Sequence, residues 1–227
     1  MSSCIRRPQA KTAVLSIGVL GAFAVAAILR AATGGPVATK TFGQFDLLHN
    51  GVNIVTNAGL WNPQGVAVDR SVTPNRIYVA DAGNHRVLGW LSIDALKDGS
   101  PADLVIGQAD FLSWASQCNN PAVTGATLCF PTAVAVDRSG NLYVVDFGNN
   151  RVLEYDQPFT TDTQPDLVFG QGGSFTSSVC NKGEISAATL CGPNAVAVDS
   201  AGNVYISDSG NSRVLEFDSS AGPNPRA

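Results

Sequence analysis

Aspartate and arginine recur five residues apart at three places in the chain: Asp81 and Arg86, Asp146 and Arg151, Asp208 and Arg213. Such a pair can transfer protons or hold an anion, but around a tight turn it also has a structural use. The carboxylate accepts backbone N–H groups, and the guanidinium reaches a carboxylate or strand-end carbonyls. A catalytic group ordinarily occurs once, so a constellation repeated at equivalent places reads as scaffold. Cysteines repeat as well: Cys118 and Cys129 lie 11 apart, as do Cys180 and Cys191. The spacing reads as two local disulfides, Cys118–Cys129 and Cys180–Cys191, each closing a long loop. No Cys-x-x-Cys or histidine cluster accompanies them, so no metal site is expected. The two histidines, His49 and His85, occupy non-equivalent positions. A nucleophile–base pair and a phosphate-cradling glycine loop are also missing. No catalytic residue and no cofactor are assigned.

The elements that carry these residues repeat with them. Pro63-Gln-Gly-Val-Ala-Val-Asp69, Pro131-Thr-Ala-Val-Ala-Val-Asp137 and Pro193-Asn-Ala-Val-Ala-Val-Asp199 align closely. Each is followed by a second segment, Arg76 to Asp81, Asn141 to Asp146 or Asn203 to Asp208, and then by a third, Gly83 to Leu88, Gly148 to Leu153 or Gly210 to Leu215. A fourth element recurs at Thr41-Phe-Gly-Gln44, Val105-Ile-Gly-Gln108 and Val168-Phe-Gly-Gln171, its Gly-Gln pairs stepping by 64 and 63 residues. All four are short, rich in Val, Ile, Leu and Tyr, and bounded by Gly, Asn, Asp or Pro, which are strand and turn signals. Four short antiparallel strands per repeat is the make-up of a propeller blade.

The succession Val-x-Val-Asp, Gly-Asn, Tyr-Val-x-Asp and x-Gly-Asn-x-Arg-Val resembles the NHL repeat. Asp146-Phe-Gly-Asn-Asn-Arg-Val152 and Asp208-Ser-Gly-Asn-Ser-Arg-Val214 match its most recognisable stretch. The resemblance covers residues 37–218, with repeats at about 63–90, 131–156 and 193–218. It implies an all-β propeller of four-stranded blades, three of them present, forming an open arc or part of a six-bladed ring. Relatives of this kind include a peptide-amidating lyase with a histidine-held metal and, among related six-bladed folds, lactonases with a Glu, Asn and Asp set facing the axis. Two histidines, and inner strands of Val, Ala and Gly, supply neither set. The expected role is therefore a binding or interaction scaffold for a protein or small ligand, with an enzyme of the amidating-lyase or lactonase type as the alternative.

Loops on a rigid scaffold are where binding concentrates. Here the loops offer Trp114, Gln117, Asn119, Asn120, Asn181, Lys182 and Glu184. Positions that vary between otherwise matching repeats are further binding candidates: Gln64, Thr132 and Asn194 after the opening prolines, and His85, Asn150 and Ser212 before the arginines.

The first 32 residues form a separate segment. Arg6, Arg7 and Lys11 precede an apolar run from Ala13 to Leu29 and small residues at Ala31 and Ala32. This is the pattern of a signal peptide, and the run is also near the length of a signal anchor, so an N-terminal hydrophobic helix is expected ahead of the blades. Either reading puts the propeller outside the cytoplasm, secreted, periplasmic or membrane-anchored, and touching a membrane only through this segment. Without the segment's four basic residues, 14 less 4 leaves 10 against 18 acidic ones, a net charge of −8. That excludes nucleic acid as an expected partner. Since propellers close with four to eight blades, three blades followed by a short tail (219–227) imply either a fragment of a larger propeller or self-association to close the ring, the element at 37–44 acting as closure strand.

Overall fold

Among the described residues, eleven strands follow the repeats. The first blade contains β1 (Pro63–Asp69), β2 (Arg76–Asp81), β3 (Arg86–Trp90) and β4 (Leu104–Ile106). The second contains β5 (Pro131–Val136), β6 (Leu142–Asp146), β7 (Arg151–Tyr155) and β8 (Leu167–Phe169), and the third β9 (Pro193–Val198), β10 (Val204–Asp208) and β11 (Arg213–Phe217). Neighbouring strands pair antiparallel in chain order, giving two four-stranded sheets and one three-stranded sheet. This computed structural model describes residues 36–48, 50, 55–113, 118–119 and 121–219. The apolar N-terminal segment with its expected helix, Trp114, and nearly all of the tail lie outside the described residues. Among the described residues no helix is long and apolar enough to cross a membrane.

The middle strand of the second blade reads as a continuous apolar run, Leu142-Tyr-Val-Val145, because a neighbouring blade covers each face of its sheet. Leu142 and Val144 point into a core shared with the first blade, where Tyr78, Ala80, Val87 and Ile106 meet Leu128, Val134, Leu153 and Tyr155. Tyr143 and Val145 point the other way, into a core with Leu190, Val204, Ile206 and Phe217 of the third blade. Each blade interface is thus built from the two faces that a period of two presents. The element at 37–44 differs from expectation. Residues 36–44 contain no strand; Gly43 makes a single parallel bridge to Gly59, and Phe42 packs edge-on against Trp90 with centroids 5.6 Å apart. A third strand lies beside each of the matching segments β4 and β8, and 41–44 has none.

The repeated Asp–Arg pairs hold each blade to its long loops. Arg86 Nε lies 2.7 Å from Asp81 Oδ2, Arg151 Nε 2.7 Å from Asp146 Oδ2, and Arg213 Nε 2.8 Å from Asp208 Oδ2. The same carboxylate oxygen accepts the side-chain N–H of Asn84, Asn149 or Asn211. The other oxygen accepts the backbone N–H of Trp61, Cys129 or Cys191 at 2.6–2.7 Å. Each guanidinium then donates to two carbonyls of the loop before its blade: Thr56 and Gly59, Thr124 and Thr127, or Ser186 and Thr189. Arg86 and Arg151 also reach forward, to the carbonyls of Phe111 and Phe175. Glycine is required inside the turn. A Cβ on Gly148 would lie 2.3 Å from Cys129 Sγ and 2.9 Å from its carbonyl oxygen, because the Gly148 N–H bonds that carbonyl.

Burial alone raises the Asp146 carboxyl, and Arg151 is the main group opposing it. Deleting one partner of a buried pair leaves an uncompensated charge and costs about 3–5 kcal/mol. Arg151→Ala is expected to lose that amount in urea unfolding of the oxidised protein. Arg213→Ala should lose clearly less, since its side chain is 26% exposed. Equal losses would contradict this description.

Candidate functional site

The inner strands have two ends of different chemistry. At the starting end lie the opening prolines, the Asp–Arg turns and the loops closed by disulfides Cys118–Cys129 and Cys180–Cys191. Trp61 occupies the cysteine position of the first repeat, its N–H bonding Asp81 as those of Cys129 and Cys191 bond Asp146 and Asp208. At the finishing end, roughly 17 Å away at 3.3 Å per residue, lie the hairpin turns after Val68, Val136 and Val198.

Most of the varying residues at the starting end serve the scaffold. His85, Asn150 and Ser212 all sit in the left-handed region, φ 53–54°, which Asn and His tolerate better than branched residues. His85 Nδ1 accepts the N–H of Phe130 at 3.1 Å, and Asn150 Oδ1 accepts that of Gly192 at 2.7 Å. Each thereby ties its blade to the next. Asn150 also donates to the Ser178 carbonyl. Ser212, in the third blade, is exposed. Asn119 and Asn181, beside the cysteines, form reciprocal amide pairs with Asn149 and Asn211 at 2.6–3.0 Å, and Lys182 Nζ donates to the Gln171 carbonyl. Thr132 Oγ1 reaches the Asn194 carbonyl at 3.4 Å, while Gln64 donates to Asn62. Gln64 and Asn194 remain exposed. Of the six varying positions, His85, Asn150 and Thr132 thus link one blade to the next, and Gln64, Asn194 and Ser212 stay exposed.

The finishing end holds a cavity of about 450 Å³ lined by Val68, Val136 and Val198 as an apolar floor and by the turn residues Arg70, Ser71, Asp137, Arg138, Asp199 and Ser200. Each blade contributes the valine that ends its inner strand and residues of the turn that follows. The carboxylates are occupied: Asp137 accepts the backbone N–H groups of Ser139 and Asn141, the Asn141 amide and the Tyr143 hydroxyl. Asp199 is held alike by Ala201, Asn203 and Tyr205, and the Asn203 N–H in particular keeps its carboxyl below the usual range. The Arg70 and Arg138 side chains are exposed and have no hydrogen bond or ion pair among the described residues. The site is therefore a pocket with an apolar floor of three valines and a polar wall that carries two cationic groups. Sequence reasoning missed it because these turns look like ordinary hairpin tips; the available signal was basic residues after the strand-ending aspartates of two repeats.

A second polar cluster brings carboxylate oxygens of Glu154, Asp156 and Asp166 within 4.8 Å of one another. Burial, with Asp156 next, pushes the Glu154 carboxyl up to about 8. Asp166 has a structural task, accepting the Asp156 N–H as Asp103 accepts that of Leu91 in the first blade.

Burial lowers the His85 imidazole below its ordinary 6.5, opposed by Asp81. Only the neutral ring accepts the Phe130 N–H. Between the lowered folded value and 6.5 the unfolded chain binds the extra proton, so this contact stabilises fully above pH 6.5 and its contribution is lost as pH falls through the folded value. His85→Asn, the residue of the second blade, is expected to keep the link at pH 7.5 while flattening the fall in stability below pH 6.5. Urea midpoints across that range check this; an unchanged pH profile would contradict it.

The family comparison agrees with the three blades. The NHL repeat model matches residues 60–90, 128–155 and 190–217, one match per sheet. No curated protein matches the chain. Among solved structures, a gluconolactonase from Xanthomonas campestris is similar at 20% identity and a TM-score of 0.38, over 68% of this chain and 37% of its own. The chain thus spans little more than a third of that protein's length. With its three repeats, each on one blade, the chain belongs to the NHL-repeat family.

Proposed function

We propose that this chain is a non-catalytic NHL-repeat scaffold, working outside the cytoplasm, that binds a small organic anion with an apolar body at the finishing end of its inner strands. The observation that carries the reading is the cavity itself. Its volume of about 450 Å³ is in the range of small-molecule sites. Val68, Val136 and Val198 receive an aliphatic body, and the Arg70 and Arg138 guanidiniums receive a carboxylate in a bidentate manner that lysine does not match. Asp137 and Asp199, which line the cavity, are already supplied with donors by their own turns, so they do not compete for the arginines. Two disulfides support an oxidising compartment, where such bonds persist. A binding role also agrees with how the starting end is used, since most polar groups there hold loops and blades together.

Titration of the oxidised protein with medium-chain aliphatic carboxylates and their neutral alcohols, followed by heteronuclear NMR, tests the reading. The carboxylates should perturb Val68, Val136 and Val198 saturably, and the alcohols much less. Arg138→Ala should weaken binding roughly tenfold, the worth of a charge-assisted hydrogen bond. Binding indifferent to Arg70 and Arg138, or turnover of a lactone panel by the purified chain, would overturn the proposal.

A further inference from the structure

Parts of the faces that meet inside the molecule also occur, uncovered, at its two sides; on the first blade the opening is confined to the inner strand, since Ile77, Val79, Leu88 and Trp90 are buried beneath that blade's own loops. In the first and second blades the outward faces carry Val87 and Val152, 1% and 0% exposed under the next blade, whereas their counterpart in the third blade, Val214, is 67% exposed. On the opposite side, Val134 of the second blade is 8% exposed beneath the first blade, whereas its counterpart Val66 is 63% exposed. What covers Val134 is the face formed by Ala67, Ala80 and Val87. The corresponding positions of the third blade are Ala197, Ser207 and Val214.

The strand edges repeat this relation. β3 is flanked by β4 and β7 by β8, while β11 pairs only with β10 among the described strands. The segment Lys40 to Phe42 occupies the positions of β4 and β8 and pairs with no strand among the described residues. It already stands correctly towards the blade that follows it. A Cβ on Gly43 would meet Leu60, as one on Gly107 would meet Leu128 and one on Gly170 would meet Leu190. The internal registers are Val87↔Ile106, Leu88↔Val105 and Gly89↔Leu104, and likewise Val152↔Phe169, Leu153↔Val168 and Glu154↔Leu167. Carried over to β11, they set Val214 opposite Phe42, Leu215 opposite Thr41 and Glu216 opposite Lys40. The first pair is apolar on the face that is uncovered, and the last is oppositely charged. Directly opposite residues of these kinds stabilise a strand pair, and like charges would oppose it.

We infer that the third blade of one copy docks on the first blade of a second copy, β11 receiving the partner's Lys40–Gln44 as its outer strand and Val214 covering the partner's Val66. The contact is head to tail, joining two different surfaces. Two copies satisfy both sides at once when each supplies one β11 and one Lys40–Gln44. The second copy also brings its own Val68 turn beside the Val198 turn of the first, which adds a wall to the cavity at the finishing end.

Sedimentation of the purified, oxidised full-length chain in a mild non-ionic detergent tests this. The expected particle is two chains. Val214→Asp and Val66→Asp alter exposed residues, so each should keep the wild-type circular dichroism and both disulfides, yet sediment as one chain. Mixing the two variants should restore a two-chain particle containing one of each. In that pairing the Val66→Asp copy still offers Val214, and the Val214→Asp copy still offers Val66. A single-chain wild-type particle across the micromolar range would overturn the inference. So would a Val66→Asp variant that stays paired, or a mixture that fails to re-pair.

Discussion

The buried ion pair between aspartate and arginine, made once per blade, is the interaction on which the rest of the structure depends. Neither Asp81 with Arg86 nor Asp146 with Arg151 has any exposed side chain. Removing both charges from water is costly, and attraction alone rarely makes good the loss. The cost is offset here because each charged atom is supplied with hydrogen bonds. The carboxylate gathers an asparagine amide, a guanidinium and a backbone N–H, and the guanidinium gathers the carbonyls of loop backbone that has no strand to pair with. A loop crossing the end of a blade presents carbonyls that would otherwise be buried without donors. One arginine settles at least two of them per repeat. The aspartate N–H contacts fix where each following strand begins, and with that the opening prolines and the register of every sheet.

This explains why the long loops are tolerable. A disulfide closes a short segment within the second and third loops, and the arginine pins the same segment from the blade side. The first loop has no cysteine, and there Trp61 takes the cysteine's place against the turn while Arg86 does the pinning. The starting end is consequently built of mutually dependent contacts: Asp–Arg–Asn groups, reciprocal asparagine pairs, and the His85 and Asn150 links between blades. The finishing end carries hairpin turns in which Asp137 and Asp199 are supplied by their own turn, and in which Arg70 and Arg138 have no hydrogen bond or ion pair among the described residues. Rigidity and available chemistry are thus placed at opposite ends of the inner strands.

Much of this was legible in the sequence because it is local. Strands showed as short apolar runs between Gly, Asn and Asp; the five-residue Asp–Arg spacing encloses a single turn, and the 11-residue cysteine spacing encloses a single loop. What depends on distant partners was not legible. His85 meets Phe130 and Asn150 meets Gly192 across 45 and 42 residues, so both read as variable, available side chains when they are links between blades. The segment at 41–44 carries the outer-strand motif, yet a strand exists only where a neighbour supplies the ladder, and the motif alone could not reveal that. The cavity escaped notice for a related reason. It is assembled from three turns, each unremarkable by itself, and only their convergence makes a pocket.

Amide hydrogen exchange on the oxidised protein tests the central claim most directly, at the N–H groups of Trp61, Cys129 and Cys191. All three lie at loop ends outside the strands, where amides ordinarily exchange quickly. If the buried carboxylates of Asp81, Asp146 and Asp208 organise the blades, these amides will be protected to nearly the degree of the middle strands β2, β6 and β10. Exchange at the rate of the surrounding loop would contradict the account.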